Sequence, residues 1–255
     1  MLQTRVIPAL LLKDDCLVKT RQFSNFTYVG DPCNTVRIFN ELKVDEILFL
    51  DISCTPQKRC PNYKLLREIS NECFMPLAYG GGITSLEIAK KIFNLGFEKI
   101  VLNSSAVRNP KLIGEIAKYY GSQSVVVSID YRSSLMGKKQ VWTLCGRQNT
   151  SLIATDWAKC VEGEGAGEIL LTSIKHEGMW SGFDLDTIKN VSNQVSIPVI
   201  AHGGAACLED IRLAKYKGQA SAIALGSMVV FQKKDMGVLV NFPEELSNFD
   251  SHLLK

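Results

Sequence analysis

The stretch between residues 46 and 107 recurs 122 positions later, between residues 168 and 229. Glu46-Ile47-Leu48-Phe49-Leu50 reappears as Glu168-Ile169-Leu170-Leu171-Thr172, Pro76 as Pro198, and Gly81-Gly82 as Gly203-Gly204. Leu86-Glu87 returns as Leu208-Glu209, Gly96 as Gly218 and Ser105 as Ser227. The constant offset reads as two copies with no insertion in either. A long-period repeat is one architectural unit used twice, so the fold must divide into two similar halves. The repeated glycines follow apolar runs, at strand ends where barrels and open sheets bind phosphate. Two copies of such a site suggest a ligand with two phosphate ends.

Short apolar runs recur along the chain at Arg5–Leu12, Glu46–Ile52, Pro76–Tyr79, Lys99–Leu102, Ser124–Asp130, Glu168–Ile174, Pro198–Ala201 and Ala220–Leu225. They are rich in Val, Ile and Leu without strict alternation, as expected of parallel strands buried on both faces. Between them lie helix-like segments: Cys33–Leu42, Tyr63–Cys73, Ser85–Leu95, Pro110–Tyr120, Ser151–Glu162, Asp184–Ser192, Leu208–Lys217 and Asp235–Leu246. Asp31-Pro32 and Asn109-Pro110 are start signals. Eight strand–helix pairs predict a (β/α)₈ TIM barrel in the α/β class, as one domain spanning 1–255. A doubly wound open sheet is the alternative, but four βα units used twice close more naturally into a barrel. The longer connections Thr20–Asp31 and Tyr131–Asn149 follow the first and fifth strands and are lid candidates. The second contains Gly137–Thr143, which reads as a small hairpin.

Composition narrows the function classes. A net charge of +3 in 255 residues leaves no nucleic-acid footprint. Eight cysteines are scattered without a C-x-x-C pair, which suits buried thiols in a reducing cytosol better than disulfides or zinc. No apolar run approaches membrane-spanning length, and the apolar opening Val6–Leu12 is too short for a signal peptide. The expectation is a cytoplasmic protein with no membrane or nucleic-acid partner, no metal and no cofactor.

Gly80-Gly81-Gly82 and Gly203-Gly204 end the third and seventh strands. Glycine lets backbone N–H groups approach an anion closely, and a following helix adds its dipole. Asn103-Ser104-Ser105 and Gly226-Ser227, one βα unit later in each copy, add amide and hydroxyl donors. One glycine pair alone would read as a turn; two matched pairs with polar partners favour phosphate. Asp130 and Asp51 end apolar strands, as a general acid/base does, although loop capping is the plainer reading. Matching Arg5–Leu11 to Ser124–Asp130 sets Leu11 opposite Asp130, so the acid has no mate. Arg5, Glu46, Lys99 and Glu168 begin strands and would ring the opposite mouth, where the residues alone suggest only solvated strand starts. His202 sits beside Gly203 and could touch ligand; His176 is in a loop and His252 in the tail. Met179-Trp180 in the sixth loop are candidates to cover a ligand.

These residues together resemble the HisF family, the cyclase subunit of imidazole glycerol phosphate synthase, over nearly the whole chain. The resemblance is carried by Lys13-Asp14, Val18-Lys19, Gly30-Asp31-Pro32, Phe49–Ile52, Gly80–Ile83, Gly121–Gln123, Val125–Asp130, Gly165–Ser173 and Gly203–Ala205. It implies a barrel that binds a bis-phosphate ribonucleotide. It also implies a glutaminase partner, HisH, docked at the N-terminal face and releasing ammonia through the barrel. On that reading Gly82, Asn103 and Ser104 hold one phosphate, Gly203, Gly204, Gly226 and Ser227 hold the other, and Lys19, Asp51 and Thr172 sit at the substrate. Arg5, Glu46, Lys99 and Glu168 become the gate to the ammonia passage, and Glu98 a contact to the glutaminase. The departures are local. Leu11 stands where the family has an aspartate paired with the one matching Asp130, Asp15 replaces a glycine, and Ile174–Met179 is rewritten. A divergent HisF-like branch has this look. It is associated with surface-polysaccharide sugars, where a HisF/HisH-like pair supplies ammonia to a separate ATP-dependent amidotransferase. Two further readings remain: a true histidine-pathway cyclase relying on Asp130, with Asp51 or Asp14 assisting, and the related isomerase HisA.

Overall fold

The computed structural model describes residues 4–247 and 249. Twelve strands are present among them: β1 (Arg5–Lys13), β2 (Cys16–Arg21), β3 (Ser24–Gly30), β4 (Ile47–Asp51), β5 (Leu77–Gly80), β6 (Lys99–Leu102), β7 (Val125–Ser133), β8 (Lys139–Thr143), β9 (Gln148–Ile153), β10 (Glu168–Ser173), β11 (Val199–His202) and β12 (Ala222–Leu225). The helices are α1 (Pro32–Glu41), α2 (Cys54–Gln57), α3 (Tyr63–Glu72), α4 (Leu86–Phe93), α5 (Ser104–Arg108), α6 (Lys111–Tyr120), α7 (Ala154–Gly163), α8 (Leu185–Ser192), α9 (Leu208–Tyr216) and α10 (Glu244–Ser247). Eight strands, β1, β4, β5, β6, β7, β10, β11 and β12, pair in parallel. The β12–β1 and β7–β10 pairings close them into a barrel. The expected (β/α)₈ architecture is therefore present, and the open sheet is excluded by that closure.

Helix ends follow local chemistry. Asp31 Oδ1 accepts the Asn34 N–H at 2.8 Å with Pro32 in the first turn, and Asn62, Ser85 and Asp184 cap α3, α4 and α8 in the same way. The apolar faces of these helices and the outward residues of the barrel strands form one core layer, including Phe39, Phe49, Tyr79, Ile113 and Leu171. A second, smaller cluster fills the barrel itself: Ile7, Ala9, Leu48, Ala78, Val101, Val126, Leu170, Ile200, Ala222 and Ala224. Because strand side chains alternate, every second residue points inward and these side chains form a column along the barrel axis.

The register tests the repeat directly. Ala78 pairs with Lys99 and Ile200 with Ala222, so the offset is 122 on one strand (78 to 200) and 123 on the next (99 to 222). The second copy thus carries one extra residue between its last helix and last strand, around Gln219, which adopts φ of 60°. The constant offset inferred from sequence is corrected there, and Asn103 and Ser104 become the equivalents of Gly226 and Ser227. The match of the first strand to the fifth holds. Ala9 pairs with Leu48 as Ser128 pairs with Leu170, and Leu11 with Leu50 as Asp130 with Thr172.

Other differences lie in connections. The first long connection is a hairpin, β2–β3, with Gln22 and Phe23 at positive φ in its turn. The second forms β8 and β9 against the extension of β7, including the expected hairpin near Gly137. The helix expected over Asp235–Leu246 is absent except for the four residues of α10. Phe231 bridges antiparallel to Val238, and the Leu239 and Asn241 N–H groups donate to the Val230 and Val229 carbonyls. The chain therefore doubles back in extended form, as β-branched Val238 and Val240 favour. His252 lies outside the described residues.

Candidate functional site

At the N-terminal mouth the four charged strand starts meet. Arg5 Nη1 donates to Glu46 Oε2 at 2.8 Å and Nη2 to Glu168 Oε1 at 2.7 Å. Lys99 Nζ lies 3.1 Å from Glu46 and 3.2 Å from Glu168. Burial disfavours the Arg5 charge, but Glu168 and Glu46 outweigh it and hold its pKa above the ordinary value. Solvated strand starts would not converge this way, so the plainer reading fails and all four residues form one neutral ring across the barrel axis. Glu98, immediately before β6, is exposed beside it.

At the C-terminal mouth, two cavities flank the hairpin strand β2. The first, of about 310 Å³, is lined by Gly81, Gly82, Asn103 and Ser104 together with Asp51, Asp130, Thr172 and Leu11. The second, of about 240 Å³, is lined by Lys19, Trp180, Ser227 and Met236. A small recess of about 20 Å³ joins Gly203, Gly204 and Gly226 to His202 and Glu177.

The glycine pairs have strict packing reasons. Gly81 and Gly203 adopt φ of 133° and 91°, and a Cβ would fall 2.6 Å from the Asp51 carbonyl and 2.9 Å from that of Ser173. Asp51 and Ser173 are themselves repeat equivalents. Gly82 and Gly204 also have positive φ, and a Cβ on Gly204 would lie 2.1 Å from the Gly182 carbonyl. Both turns therefore exclude any L side chain.

Asp130 is held by its neighbours. Ser128 Oγ donates to Oδ1 at 2.9 Å and Asn103 Nδ2 to Oδ2 at 3.3 Å. Burial pushes its carboxyl up to about 6, against the hydrogen bonds from Ser128 and Thr172 that favour the anion. A carboxyl titrating there suits a general acid or base near neutral pH. His202 shares a 3.1 Å hydrogen bond with Thr172 Oγ1, and burial, with Lys19 nearby, lowers it to about 3, so it is neutral at pH 7. Lys19 reaches from β2 onto the Ala9 carbonyl inside the barrel, and burial lowers its ammonium to about 8 despite Glu177. Leu11 occupies the place matching Asp130 and lines the same cavity. Asp51 lines the first cavity, and its carboxylate accepts the Ser53 and Cys54 N–H groups at 2.8 and 3.0 Å, as a loop cap does, and a 3.4 Å contact from Arg59. Asp14 pairs with Lys13 on the exposed β1–β2 turn, and Asp15 there adopts φ of 66°, the conformation a glycine would favour.

Several lining residues have little or no sequence signal. Glu177 is buried in the sixth loop, accepting Thr20 Oγ1 at 2.8 Å and the Phe23 N–H at 3.2 Å, and so pins the hairpin over the mouth. Phe23 packs against Gly146 of the other long connection, so the two lid candidates meet above the first cavity. Arg108 and Arg147 line that cavity, as does Cys145, whose thiol burial pushes up to about 12. Arg108 was legible as one helical turn beyond Ser104; Arg147 lies in a connection whose fold the sequence left open. Among the described residues no group of His, Cys, Asp and Glu is arranged to hold a metal ion, and no helix is long and apolar enough to cross a membrane.

The fold and its two mouths define a closed two-copy (β/α)₈ barrel with matched glycine turns at one end and a charged ring at the other. Comparison with known proteins narrows it. The family model described as "Histidine biosynthesis protein" matches residues 5–235. The chain is 46% identical to the Pseudomonas aeruginosa protein named "Putative imidazole glycerol phosphate synthase subunit hisF2", over 96% of this chain and 97% of that one. It is 42% identical to a similarly named Leptospira interrogans protein over 95% of this chain and 96% of the relative. With the Alkaliphilus metalliredigens imidazole glycerol phosphate synthase subunit HisF it shares 40% over 89% of this chain and 90% of that protein. The chain belongs to the HisF family of histidine biosynthesis proteins.

Proposed function

We propose that this chain is the synthase-side subunit of a glutamine amidotransferase complex. It receives ammonia through the barrel from a HisH-like glutaminase docked at the N-terminal mouth, beside Glu98. On the resemblance to the divergent branch, the ammonia serves amidation of a surface-polysaccharide sugar by a separate ATP-dependent amidotransferase rather than imidazole ring formation. The observation that carries the reading is the contrast between the two mouths. Arg5, Glu46, Lys99 and Glu168 are all present and joined in one ring, whereas Leu11 faces the cavity at the position equivalent to Asp130. Loss of one positioned acid/base costs about 10²–10⁴ in rate. The glycine turns with Asn103, Ser104, Gly226 and Ser227 then serve as phosphate grips for a ligand that signals to the glutaminase.

The polar cluster around Asp130 favours a second reading, a cyclase of histidine biosynthesis in which Asp130 alone carries acid/base work. The names of the relatives support it. Supplying purified protein with ammonium and the histidine-pathway bis-phosphate ribonucleotide separates the two. Turnover at rates typical of the family sinks the first reading, and a rate lower by about 10² or more sinks the second. Glutamine-dependent activity with Arg5→Ala tests the passage: ammonia transfer should uncouple from glutamine hydrolysis.

A further inference from the structure

Asp130, Thr172 and His202 form one row across three neighbouring strands. Thr172 is in register with Asp130 on β7 and with His202 on β11. Thr172 and His202 are buried; Thr172 Oγ1 lies 3.1 Å from His202 Nδ1, and its hydroxyl also bonds the Asp130 carboxylate. A hydroxyl carries one proton and so donates in one direction only. When Asp130 is ionised, Thr172 donates to the carboxylate, because a hydrogen bond to a charged acceptor is the stronger. His202 must then donate from Nδ1 to Thr172 Oγ1, which leaves Nε2 bare. When Asp130 is protonated it donates to Thr172, Thr172 donates to Nδ1, and the ring proton sits on Nε2. Nε2 faces the small recess at Gly226, where a Cβ would fall 3.7 Å from Nε2 and 3.0 Å from Lys19 Nζ. At about 20 Å³ that recess has room for one water molecule. The titratable groups beside the row are Glu177 from the sixth loop, Lys19 from β2 and Cys145 from the connection after β8. Each is engaged elsewhere: Glu177 by Thr20 and Phe23, Lys19 by the Ala9 carbonyl, Cys145 by the Ile52 carbonyl. Asp51, Arg108 and Arg147 also line the first cavity.

We infer that Thr172 and His202 form a proton relay that loads and unloads Asp130 from the recess side. A proton enters at His202 Nε2, given by water or by the Lys19 ammonium. The Nδ1 proton passes to Thr172 Oγ1, and the former Thr172 hydroxyl proton passes to an Asp130 carboxylate oxygen. One proton is taken up at one end and one is delivered at the other. His202 changes tautomer and stays uncharged, and the reverse sequence empties Asp130. Thr172 and His202 are thus positioning residues for Asp130, which can exchange its proton while a ligand covers the first cavity. The relay holds under either reading of the function, because it concerns only the protonation of Asp130.

Nitrogen-15 NMR of the histidine rings in the full chain tests it, with His202 assigned by the signals missing from His202→Gln. Between about pH 8 and about pH 5 the proton-bearing nitrogen of His202 should switch from Nδ1 to Nε2, with its midpoint at about 6, where Asp130 titrates, and no imidazolium should form. Asp130→Asn should hold one tautomer across that range. Thr172→Val should do the same while Asp130, followed by its carboxyl carbon-13 shift, still titrates. Thr172→Ser keeps the hydroxyl and should restore the switch. Melting temperatures show which variants fold, and Asp130→Asn decides the matter if Thr172→Val does not. A single His202 tautomer in the parent at both ends of the range would overturn the inference, because the Asp130 proton would then face Ser128. A switch that survives Asp130→Asn or Thr172→Val would also overturn it, as would a His202 that becomes charged.

Discussion

The two halves of this barrel share a backbone and differ in chemistry. In the half built from β1, β4, β5 and β6, the inward residues at the C-terminal mouth are Ala9, Leu11, Leu50 and Gly80. At the equivalent places in the half built from β7, β10, β11 and β12 stand Ser128, Asp130, Thr172 and His202. One half gives the cavity an apolar wall and the other a hydrogen-bonded acid/base cluster. The glycine turns did not diverge, because Gly81 and Gly203 each pack against the carbonyl of a matched residue where a Cβ cannot fit. At the other mouth the glutamates are equivalent, Glu46 and Glu168, yet both cations come from the first half. Backbone packing preserves the symmetry, whereas a side chain facing the cavity answers only to the ligand.

The sharpest way to break the contrast is Leu11→Asp, which gives the first half the acid it lacks. If only that acid is missing, cyclisation of the histidine-pathway ribonucleotide should rise about 10²-fold, measured with ammonium as nitrogen donor. No gain would mean that the rewritten sixth loop also blocks the chemistry. Next in size is Arg5→Ala, which leaves Glu46 and Glu168 sharing Lys99 in a partly buried site. Urea unfolding should show a loss of about 3 kcal/mol, and a loss below about 1 kcal/mol would mean that solvent screens the ring.

Asp130→Asn probes the polar half. The carboxyl sits near 6 in the fold, above its ordinary 3.8, so the folded protein holds this proton where the unfolded chain has lost it. The fold is penalised above about pH 6, and the penalty fades as pH falls towards 4. The variant should therefore be more stable than the parent at pH 7 by about 2 kcal/mol, with the gap closing near pH 4. Denaturant titration at both pH values checks the sign; a gap that widens in acid would contradict the burial argument.

Gly81→Ala and Gly203→Ala should cost similar amounts, about 1–3 kcal/mol each, because both force a Cβ onto a carbonyl at positive φ. Unequal melting temperatures would show that the turns are equivalent in shape only. The smallest effect belongs to the exposed Arg21–Asp235 pair that ties the hairpin to the 232–236 segment. Asp235→Ala should change stability by less than about 1 kcal/mol.

Much of this was legible before any coordinates. The eight strands came from apolar runs too continuous for one-sided sheets, and two of the helix starts from Asp31-Pro32 and Asn109-Pro110. The hairpin β2–β3 was not legible: its strands pair mainly with each other, and Ser24–Tyr28 is exposed, so no periodicity marks it. Nor was the extended return after Phe231, where amphipathic spacing suggested a helix and pairing with Phe231 decided otherwise. The charged ring was the reverse case. Four residues far apart in sequence looked like ordinary strand starts, and only barrel closure brings each cation within 3.3 Å of both glutamates.

By itself the sequence determined the twofold barrel, the sites of its glycine turns and the asymmetry of Leu11 against Asp130. These are local facts, set by hydrophobic period, by the steric needs of single backbone positions and by residue identity. Only the tertiary structure decided that the repeat shifts by one residue before its last strand, that the ring at the N-terminal mouth is paired and neutral, and that Glu177 of the sixth loop pins the hairpin over the other mouth. Those depend on which strands become neighbours and on where a hairpin folds back across them. Contacts of that kind join residues more than a hundred positions apart, as Thr20 joins Glu177, and no local pattern encodes them.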